Sequence, residues 1–507
     1  MLDLILDFSV VVSICNGNLA EFRATLEKGK IAGIRSWISV GQQREILDCL
    51  ATTAKNKNAS NPQDTAKESI RDLLKTCMWL SALSEEGDTL DDPDPTAAAL
   101  TRAADRLGKG TLIFTTDISR LNRGRPFADV SSLLHANIQE SIQFVDLAAQ
   151  QDCIRPQLER NLHKILRHGR YVMGPEVTEL EHKLAKYVGV EHCISVSSGT
   201  DALLVALMAI GVGVGDEVIT SPFTFFSTAE AIKLLGATPV FVDINPDTFN
   251  IDPSRIQTAI TDRTRAILPV SLFGQCADMD LINDVAQLYG VAVIEDGAQS
   301  FGASYKGKRS CGLSTIGCTS FFPAKPLGAY GEAGACFTND LGLAKVIREI
   351  IDHGQEGRYR HIRLGINGRM DSLQAGVLLA KLSIFEEELA RRGQVANRYE
   401  KLLLKIAEQE KLKLPTIEKY NISSWGQYTV EVKAREKVQD RMFEQGVPTA
   451  VHYPLPLHAQ PVFKKENADY ANATSAAEHV LSLPMHPYLK SHTQNRIAKS
   501  LIEAIDY

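Results

Sequence analysis

The stretch from Ser320 to Gly334 reads SFFPAKPLGAYGEAG and sets a single lysine, Lys325, among apolar, aromatic and glycine residues. Lysine is seldom buried, because its charged form loses hydration in an apolar setting. Such a setting lowers the pKa of the ammonium, which is the condition a Schiff-base lysine needs. The same letters also suit a surface loop whose lysine stem lies on apolar neighbours. The stretch alone leaves both interpretations open, and the preceding segments decide between them.

The composition is that of an ordinary globular protein. The chain has 507 residues, of which 44% are hydrophobic, and this length predicts roughly two to four domains. Its net charge of −6 gives no electrostatic reason to expect nucleic-acid binding. Its nine cysteines form no CxxC pair, so we expect free thiols in a reducing cytoplasm rather than a zinc site or disulfides. The first residues carry Asp3 and Asp7 without a basic start, and no apolar run is long enough to span a bilayer, so neither a signal peptide nor membrane association is expected.

Strands and helices alternate in the sequence from residue 143 to residue 390. The pattern predicts helices at 157–167, 175–188, 201–210, 228–235 and 280–289, and strands at 193–196, 217–221, 239–242, 266–270 and 291–295. This alternation predicts an α/β domain with a parallel sheet covered on both faces. Helices predicted at 371–389, 398–406 and 438–445 and a strand at 425–432 indicate that a smaller α+β subdomain occupies residues 391–507.

Polar and aromatic residues follow three of the predicted strands, where ligands bind in open parallel sheets. Asp296 can pair with a protonated ring nitrogen, or it can cap a turn. The sequence Ser198-Gly199-Thr200 precedes a helix and suits a phosphate, although it is also an ordinary N-cap. Phe225 can stack on a cofactor ring or pack in the core. Together with Lys325, these residues form the set that pyridoxal phosphate requires.

Several longer motifs in the same part of the sequence support this interpretation. They are SGTDAL (198–203), GDEVIT (215–220), PVSLFGQ (269–275) and EDGAQSFGA (295–303), followed by the Lys325 stretch. Residues from about 143 onward therefore resemble the DegT/DnrJ/EryC1/StrS family of sugar aminotransferases, and the resemblance implies the aspartate-aminotransferase fold (PLP-dependent transferase fold type I). The chain departs from the family pattern at Glu332 and Ala333, where Asp and Gly are usual.

The resemblance also implies roles for individual residues. Lys325 would be the Schiff-base lysine and the base for the 1,3-proton shift, and Asp296 would pair with the pyridine nitrogen. The other cofactor contacts would come from Gln299 at the ring hydroxyl, Phe225 on the ring face, Gly199, Thr200 and Ser320 at the phosphate, and Asn367 reaching the phosphate from a neighbouring subunit. A homodimer with shared active sites is thereby implied.

Three further motifs narrow the expected substrate, namely YKGKRSC (305–311), HIRLG (361–365) and PTAVHYP (448–454). Within the family they imply transfer of an amino group from L-glutamate to UDP-2-acetamido-2-deoxy-3-oxo-glucuronate, for bacterial surface polysaccharide such as lipopolysaccharide O-antigen. Arg369 and His452 would take the uronate carboxylate, with Tyr453 close by. The alternatives are a UDP- or dTDP-linked 4-keto sugar, a non-catalytic regulatory protein on the same fold, and a purely structural His452.

Residues 1–121 resemble a small α/β PIN-like domain, joined to the rest by a linker at 122–142. Strands are predicted at 4–14 and 111–116, with helices at 42–53, 70–84 and 96–107. By this resemblance Asp7, Glu45, Asp94 and Asp117 would hold Mg²⁺ or Mn²⁺ for RNA cleavage. The usual Asp-Thr-Asn start of that family is Asp7-Phe8-Ser9 here. The four acids alternatively serve as helix caps or solvated side chains.

Overall fold

A computed structural model describes residues 142–463 and 470–506, together with three short strands nearer the N-terminus. The chain divides into two compact units, Met1–Ser141 and Ile142–Tyr507. In the first unit Leu4–Leu6 pairs in parallel with Leu112–Phe114, which pairs in parallel with Phe127–Ala128. The first two of these strands fall within strands predicted from the sequence. The helices predicted for residues 1–121, and the acids Asp7, Glu45, Asp94 and Asp117, lie outside the described residues.

A seven-stranded sheet forms the centre of the second unit. Its strands are β1 (His192–Val196), β2 (Glu217–Thr220), β3 (Thr238–Phe241), β4 (Thr264–Leu268), β5 (Ala292–Asp296), β6 (Ile316–Ser320) and β7 (Gly334–Thr338). They lie in the order β1-β7-β6-β5-β4-β2-β3, and all pairings are parallel except those of β7 with β6 and β1. The five strands predicted from the sequence therefore run parallel as expected, and the antiparallel strand, β7, is one that the sequence analysis did not predict. A short return after the Lys325 stretch brings β7 back beside β6, so β7 has to run antiparallel.

Eight helices lie around this sheet. They are α1 (Leu147–His168), α2 (Pro175–Val188), α3 (Gly199–Ala209), α4 (Ser227–Leu234), α5 (Pro253–Ala259), α6 (Met279–Tyr289), α7 (Leu341–Ile350) and α8 (Ser372–Leu382). Successive strand residues point to opposite faces. In β5, Ile294 joins the core under α3, α4 and α7, whereas Val293 joins the core under α5 and α6. The helix α2 packs with α8 against β1 and β7. Both faces of the sheet are therefore covered, as the apolar strands predict.

The first helix is longer than the sequence predicts. The predicted helix begins at residue 157, directly after Pro156, and a proline inside a helix lacks the N–H and usually kinks or breaks it. The structure instead continues the helix through Pro156 back to Leu147, where the Asp146 carboxylate accepts a hydrogen bond of 3.0 Å from the Ala149 N–H. Burial of Ile154 and Leu158 against α8 favours the continuous helix over the break.

A second correction concerns the helices predicted at 371–389 and 398–406. The first helix, α8, ends at Leu382, and α9 then runs without a break from Phe385 to Glu408. The Ser383 hydroxyl donates to the Ala380 carbonyl over 2.7 Å, a local bond that competes with helix continuation. Phe385 is 1% exposed and anchors the new direction in the core. The apolar pattern runs through this corner, so it does not reveal the break.

The C-terminal part forms a smaller layer of helices on an antiparallel sheet. Its strands are β8 (Leu412–Lys413), β9 (Tyr428–Val432) and β10 (Val480–Leu483), and its remaining helices are α10 (Arg435–Glu444), α11 (Ala471–His479) and α12 (Ser491–Asp506). The core of this part is built from α9, α10, α12 and the three strands. The segment Ala450–Tyr453 lies beside β10, the edge strand of this sheet, because Ala450 forms a β-bridge with Ser482 of β10.

Candidate active site

The turn between β1 and α3 meets the end of β6. The Ser198 hydroxyl caps α3 by accepting a hydrogen bond of 3.0 Å from the Asp201 N–H. A Cβ atom added at Gly199 would lie 2.5 Å from the Ser320 Cβ, so only glycine fits at this first helical position. Gly199, Thr200 and Ser320 therefore lie together at a helix N-terminus, where unpaired N–H groups and the helix dipole favour an anion.

Asp296 lies at the end of β5 and is 5% exposed. Its Oδ2 accepts a hydrogen bond of 2.9 Å from the Thr228 hydroxyl, and its Oδ1 accepts one of 3.2 Å from the Ala298 N–H. Burial raises the pKa of Asp296, whereas these two hydrogen bonds and the charge of Lys325 oppose that rise. The structure thus keeps a buried carboxylate at the carboxyl edge of the sheet and supplies donors that favour its charged form.

Lys325 lies in the turn that follows β6. Its backbone N–H donates to the Phe322 carbonyl over 2.9 Å, which closes the turn. Loss of hydration lowers the pKa of the Lys325 ammonium, and the Asp296 carboxylate acts in the opposite direction. Lys325 is half-buried, between the two interpretations of the sequence, and its lowered pKa favours the buried lysine over the surface loop. A lysine of lowered pKa is more readily deprotonated and is then a nucleophile.

Gln299, three residues after Asp296, connects the end of β5 to the C-terminal part of the chain. Its Oε1 accepts a hydrogen bond of 3.0 Å from the Phe273 N–H, and its Nε2 donates to the Tyr453 hydroxyl. Tyr453 also packs edge-on against Phe223, with ring centroids 5.7 Å apart. The structure therefore brings Tyr453 to Gln299 across 154 residues of sequence.

His452 stands beside this pair, with its Nδ1 3.0 Å from the Ser482 hydroxyl. Burial, together with the charge of Lys325, lowers the pKa of His452 to about 4. The imidazole is consequently neutral at neutral pH. It can donate or accept a hydrogen bond with a substrate, but it does not supply a positive charge for a carboxylate.

Phe225 lies in the turn between β2 and α4, and its side chain is 60% exposed. The sequence allowed either core packing or stacking on a flat ligand. An exposed ring excludes the core interpretation and leaves a free aromatic face for stacking.

The segment that carries Asn367 and Arg369 is tied to the anion-binding turn by its backbone, because the Ser197 N–H donates to the Gly368 carbonyl over 2.9 Å. The side-chain Oδ1 of Asn367 accepts two hydrogen bonds from Arg369, of 3.1 Å from Nε and 2.8 Å from Nη2. Arg369 Nη1 donates to Asp352 Oδ1 over 2.8 Å. The described contacts of these two side chains therefore lie within their own segment and not at Lys325 or Asp296.

Several residues of this region were not singled out from the sequence. Thr228 stands three positions after Phe225 on the first turn of α4, and only its contact with Asp296 reveals its place in the site. Glu295 precedes Asp296 but points to the opposite face, where Ser271, Ser310 and the Cys311 N–H bond its carboxyl. Burial raises the pKa of Glu295 to about 7. The end of a predicted strand is where ligands bind in such sheets, so this signal could have found Glu295 but not Thr228, which lies on a helix.

The residues present fit pyridoxal phosphate. The Gly199 turn, whose helix N-terminus lies against Ser320, suits the phosphate, and the buried Asp296 suits the pyridine nitrogen. The exposed Phe225 ring is suited to stack on the face of the cofactor ring, and the Lys325 amine is suited to bond to the aldehyde carbon of the cofactor. Within residues 142–463 and 470–506, no group of three or more His, Cys, Asp or Glu residues could hold a metal ion. The same part of the chain contains no helix with the length and apolar character needed to cross a bilayer.

Comparison with known proteins shows which family the chain resembles. The model of the DegT/DnrJ/EryC1/StrS aminotransferase family matches residues 152–502. The chain is 56% identical over 360 residues to UDP-2-acetamido-2-deoxy-3-oxo-D-glucuronate aminotransferase of Pseudomonas aeruginosa, covering 71% of this chain and 99% of that protein. It is 41% identical to a pleiotropic regulatory protein of Geobacillus stearothermophilus, covering 72% of this chain and 98% of the relative.

A solved structure supports the fold in the same way. The crystal structure of NtdA from Bacillus subtilis with bound cofactor PMP superposes with a TM-score of 0.69 at 29% sequence identity, covering 81% of this chain and 98% of that one. With the family model spanning the whole sheet and its C-terminal layer, the chain belongs to the DegT/DnrJ/EryC1/StrS aminotransferase family.

Proposed function

We propose that this chain is a pyridoxal-phosphate-dependent aminotransferase that moves the amino group of L-glutamate to UDP-2-acetamido-2-deoxy-3-oxo-glucuronate. The observation that carries the proposal is the carboxyl edge of the sheet, where Gly199 at the α3 N-terminus lies against Ser320, the buried Asp296 ends β5, and Lys325 follows β6. The 56% identical Pseudomonas aeruginosa aminotransferase supports the choice of acceptor. We further propose that the 3-amino sugar product serves bacterial surface polysaccharide synthesis, such as O-antigen, in the cytoplasm.

In this proposal the chain positions the cofactor by its two ends. Gly199, Thr200 and Ser320 bind the phosphate, and Asp296 keeps the pyridine nitrogen protonated from the other end. Phe225 covers one ring face, and Gln299 contacts the ring hydroxyl. Pyridoxal phosphate, when bound, supplies the electron sink that makes a carbanion at the donor α-carbon accessible.

Lys325 has two tasks. Its Nζ would hold the cofactor. As a free neutral amine, the same Nζ would take the proton from the donor α-carbon, and for this its lowered pKa is required. The Asp296 carboxylate favours the protonated form of Lys325 that results from this proton transfer, because its charge opposes the lowering of the pKa of Lys325.

Arg369 has hydrogen-bond donors left for a uronate carboxylate. Asn367 and Asp352 occupy the Nε–H and one N–H on each terminal nitrogen. A guanidinium has five N–H groups, so one N–H on each terminal nitrogen remains for a carboxylate. Because His452 is neutral, we assign the charge recognition to Arg369 and only a hydrogen bond to His452, with Tyr453 next to it.

A homodimer belongs to the same proposal. The segment from His353 to Arg369 exposes Tyr359 and Leu364 by 80% and 88%, and apolar side chains exposed together are typical of interaction surfaces. Asn367 and Arg369 at the end of this segment would then complete the site of the second subunit. Mixing K325A with R369A subunits tests this arrangement. Shared sites restore about a quarter of the wild-type activity in the random mixture, because half of the dimers carry one intact site, and separate sites restore none.

The first experiment is an absorbance spectrum of the purified full chain with pyridoxal phosphate, before and after L-glutamate is added. We expect the band of the lysine-bound cofactor to bleach as the amine form appears, and K325A to show no such band. A protein that binds no cofactor would refute the enzymatic proposal and favour a regulatory role, as in the Geobacillus stearothermophilus relative's name.

A pair of acceptors distinguishes the uronate from the 4-keto alternative. R369Q should raise the KM for the UDP-linked 3-oxo-uronate by about ten- to a hundredfold, as expected for hydrogen bonds to a charged group. It should change the KM for a 4-keto sugar without a carboxylate by less than about threefold. Equal effects on both acceptors would contradict the carboxylate role of Arg369.

A further inference from the structure

Two threonine hydroxyls form a chain that ends on Asp296. The Thr228 hydroxyl donates to Asp296 Oδ2 over 2.9 Å, and the Thr224 and Thr228 hydroxyls are 3.1 Å apart. Thr228 is fully buried and Thr224 is 3% exposed. A buried hydroxyl that lacks a partner costs free energy, so both groups depend on this chain.

The direction of the chain follows from counting protons. The Asp296 carboxylate can only accept, so the single hydroxyl proton of Thr228 is committed to it. Thr228 must therefore accept from Thr224, which makes Thr224 the outer donor. Hydrogen bonds aligned in this way polarise one another and strengthen the last one, which falls on the carboxylate.

The same two threonines frame the residue proposed to stack on the cofactor ring. Phe225 follows Thr224 directly, and the Phe225 carbonyl accepts a hydrogen bond of 3.2 Å from the Thr228 N–H. The turn that presents the exposed ring of Phe225 is thus attached at both ends to the hydroxyl chain. The hydrogen bond from Thr228 also opposes the effect of burial on the pKa of Asp296.

We propose that Thr228, supported by Thr224, is a positioning residue that aims the Asp296 carboxylate and holds the Phe225 turn in register with it. The inference rests on the proposed function, since the group to be held between Asp296 and Phe225 is the cofactor ring. Neither threonine needs to touch the reacting atoms. Their effect reaches the cofactor through Asp296 and through the Phe225 turn.

Cofactor affinity is the direct test, measured by titrating the apoprotein of the full chain with pyridoxal phosphate. T228V keeps the side-chain shape but removes the hydroxyl, and we expect its affinity to fall by about ten- to a hundredfold, as for a lost hydrogen bond to a charged group. T224V should lose about three- to tenfold, because Thr228 keeps its bond to Asp296 but loses its own donor. T228S should stay within about threefold of the wild type, since it retains the hydroxyl.

Thr220 provides a matched control, because it is also fully buried and its hydroxyl donates to the Leu268 carbonyl over 2.8 Å rather than to Asp296. T220V should leave the affinity and the spectrum of bound cofactor unchanged, whereas T228V should also shift the pH at which that spectrum changes. If T228V fails to fold, T224V gives the same two readouts.

Two outcomes would overturn the inference while the wild type still binds cofactor and reacts with glutamate. One is an unchanged affinity in T228V and T224V, and the other is an equal loss in T220V and T228V. Failure of the wild type to bind cofactor is a distinct result, because it removes the proposed function itself.

Discussion

Replacing Gly199 by alanine tests the geometry of the anion-binding turn directly. The added Cβ would lie 2.5 Å from the Ser320 Cβ, 3.0 Å from its Oγ and 3.1 Å from its Cα. Carbon atoms in favourable contact are about 3.5–4.0 Å apart, so helix α3 and strand β6 would have to separate. Ser320 is paired with Gly334 in the sheet, and Gly334 itself packs too closely on the Ser198 carbonyl to admit a Cβ. The strand therefore cannot retreat freely, and we expect G199A to cost about 1–3 kcal/mol of stability, as overpacking does in tight cores.

Urea unfolding of the apoprotein measures this cost. The compensating variant is S320G, which removes the Ser320 Cβ and Oγ. Of the three close contacts of the added Cβ, it leaves the one with the Cα of residue 320, at 3.1 Å. The double variant should recover most of the loss, giving a coupling free energy of about 1–2 kcal/mol between positions 199 and 320. Gly393 is the control, since it lies within helix α9 and an added Cβ would meet nothing within 4 Å. G393A should stabilise the protein by about 0.5–1 kcal/mol.

Cofactor binding separates packing from function at the same position. G199A should also weaken pyridoxal phosphate binding, and the double variant should not recover that affinity, because S320G removes a proposed phosphate contact. An apoprotein of G199A as stable as the wild type, or a loss that S320G does not reduce, would show that the reasoning from the close contact is wrong.

Three further predictions concern the titratable groups. K325A should lower transamination by at least about 10⁴-fold, since it removes both the covalent anchor and the base, while the apoprotein stays folded; a coupled glutamate assay and circular dichroism check the two parts. Because the pKa of His452 is about 4 in the folded chain and about 6.5 when unfolded, the unfolded chain binds more protons between these values, and stability should fall as the pH drops from 6.5 to 4. Thermal unfolding across this range should show a smaller fall for H452Q; parallel curves would mean that His452 is not held neutral. Among cysteines of the described residues, the exposed Cys153 should react first with a thiol reagent, whereas burial raises the pKa of thiols such as Cys311 and should protect them until unfolding, as peptide mass spectrometry can show.

Much of the site was predictable because its parts are local in sequence. The apolar setting of Lys325, the position of Asp296 at the end of an apolar strand and the Ser198 cap before a helix each depend on a few adjacent residues. Each of these patterns has a direct physical meaning, and together they indicate pyridoxal phosphate before any contact is known. The strand and helix alternation likewise determined the covered sheet, because apolar strands can be buried on both faces only under helices.

The tertiary structure alone decided which of these parts meet and how they are held. Thr228 lies 68 residues before the Asp296 that it bonds, and Gln299 lies 154 residues before Tyr453. The antiparallel entry of β7, the passage of α1 through Pro156 and the break after Leu382 were decided in the same way. The periodicity of apolar residues indicates which face of a helix or strand is buried, but it does not indicate which other element covers that face. Partners far apart in the chain are selected by the packing of the whole core, where burial of apolar surface outweighs local preference.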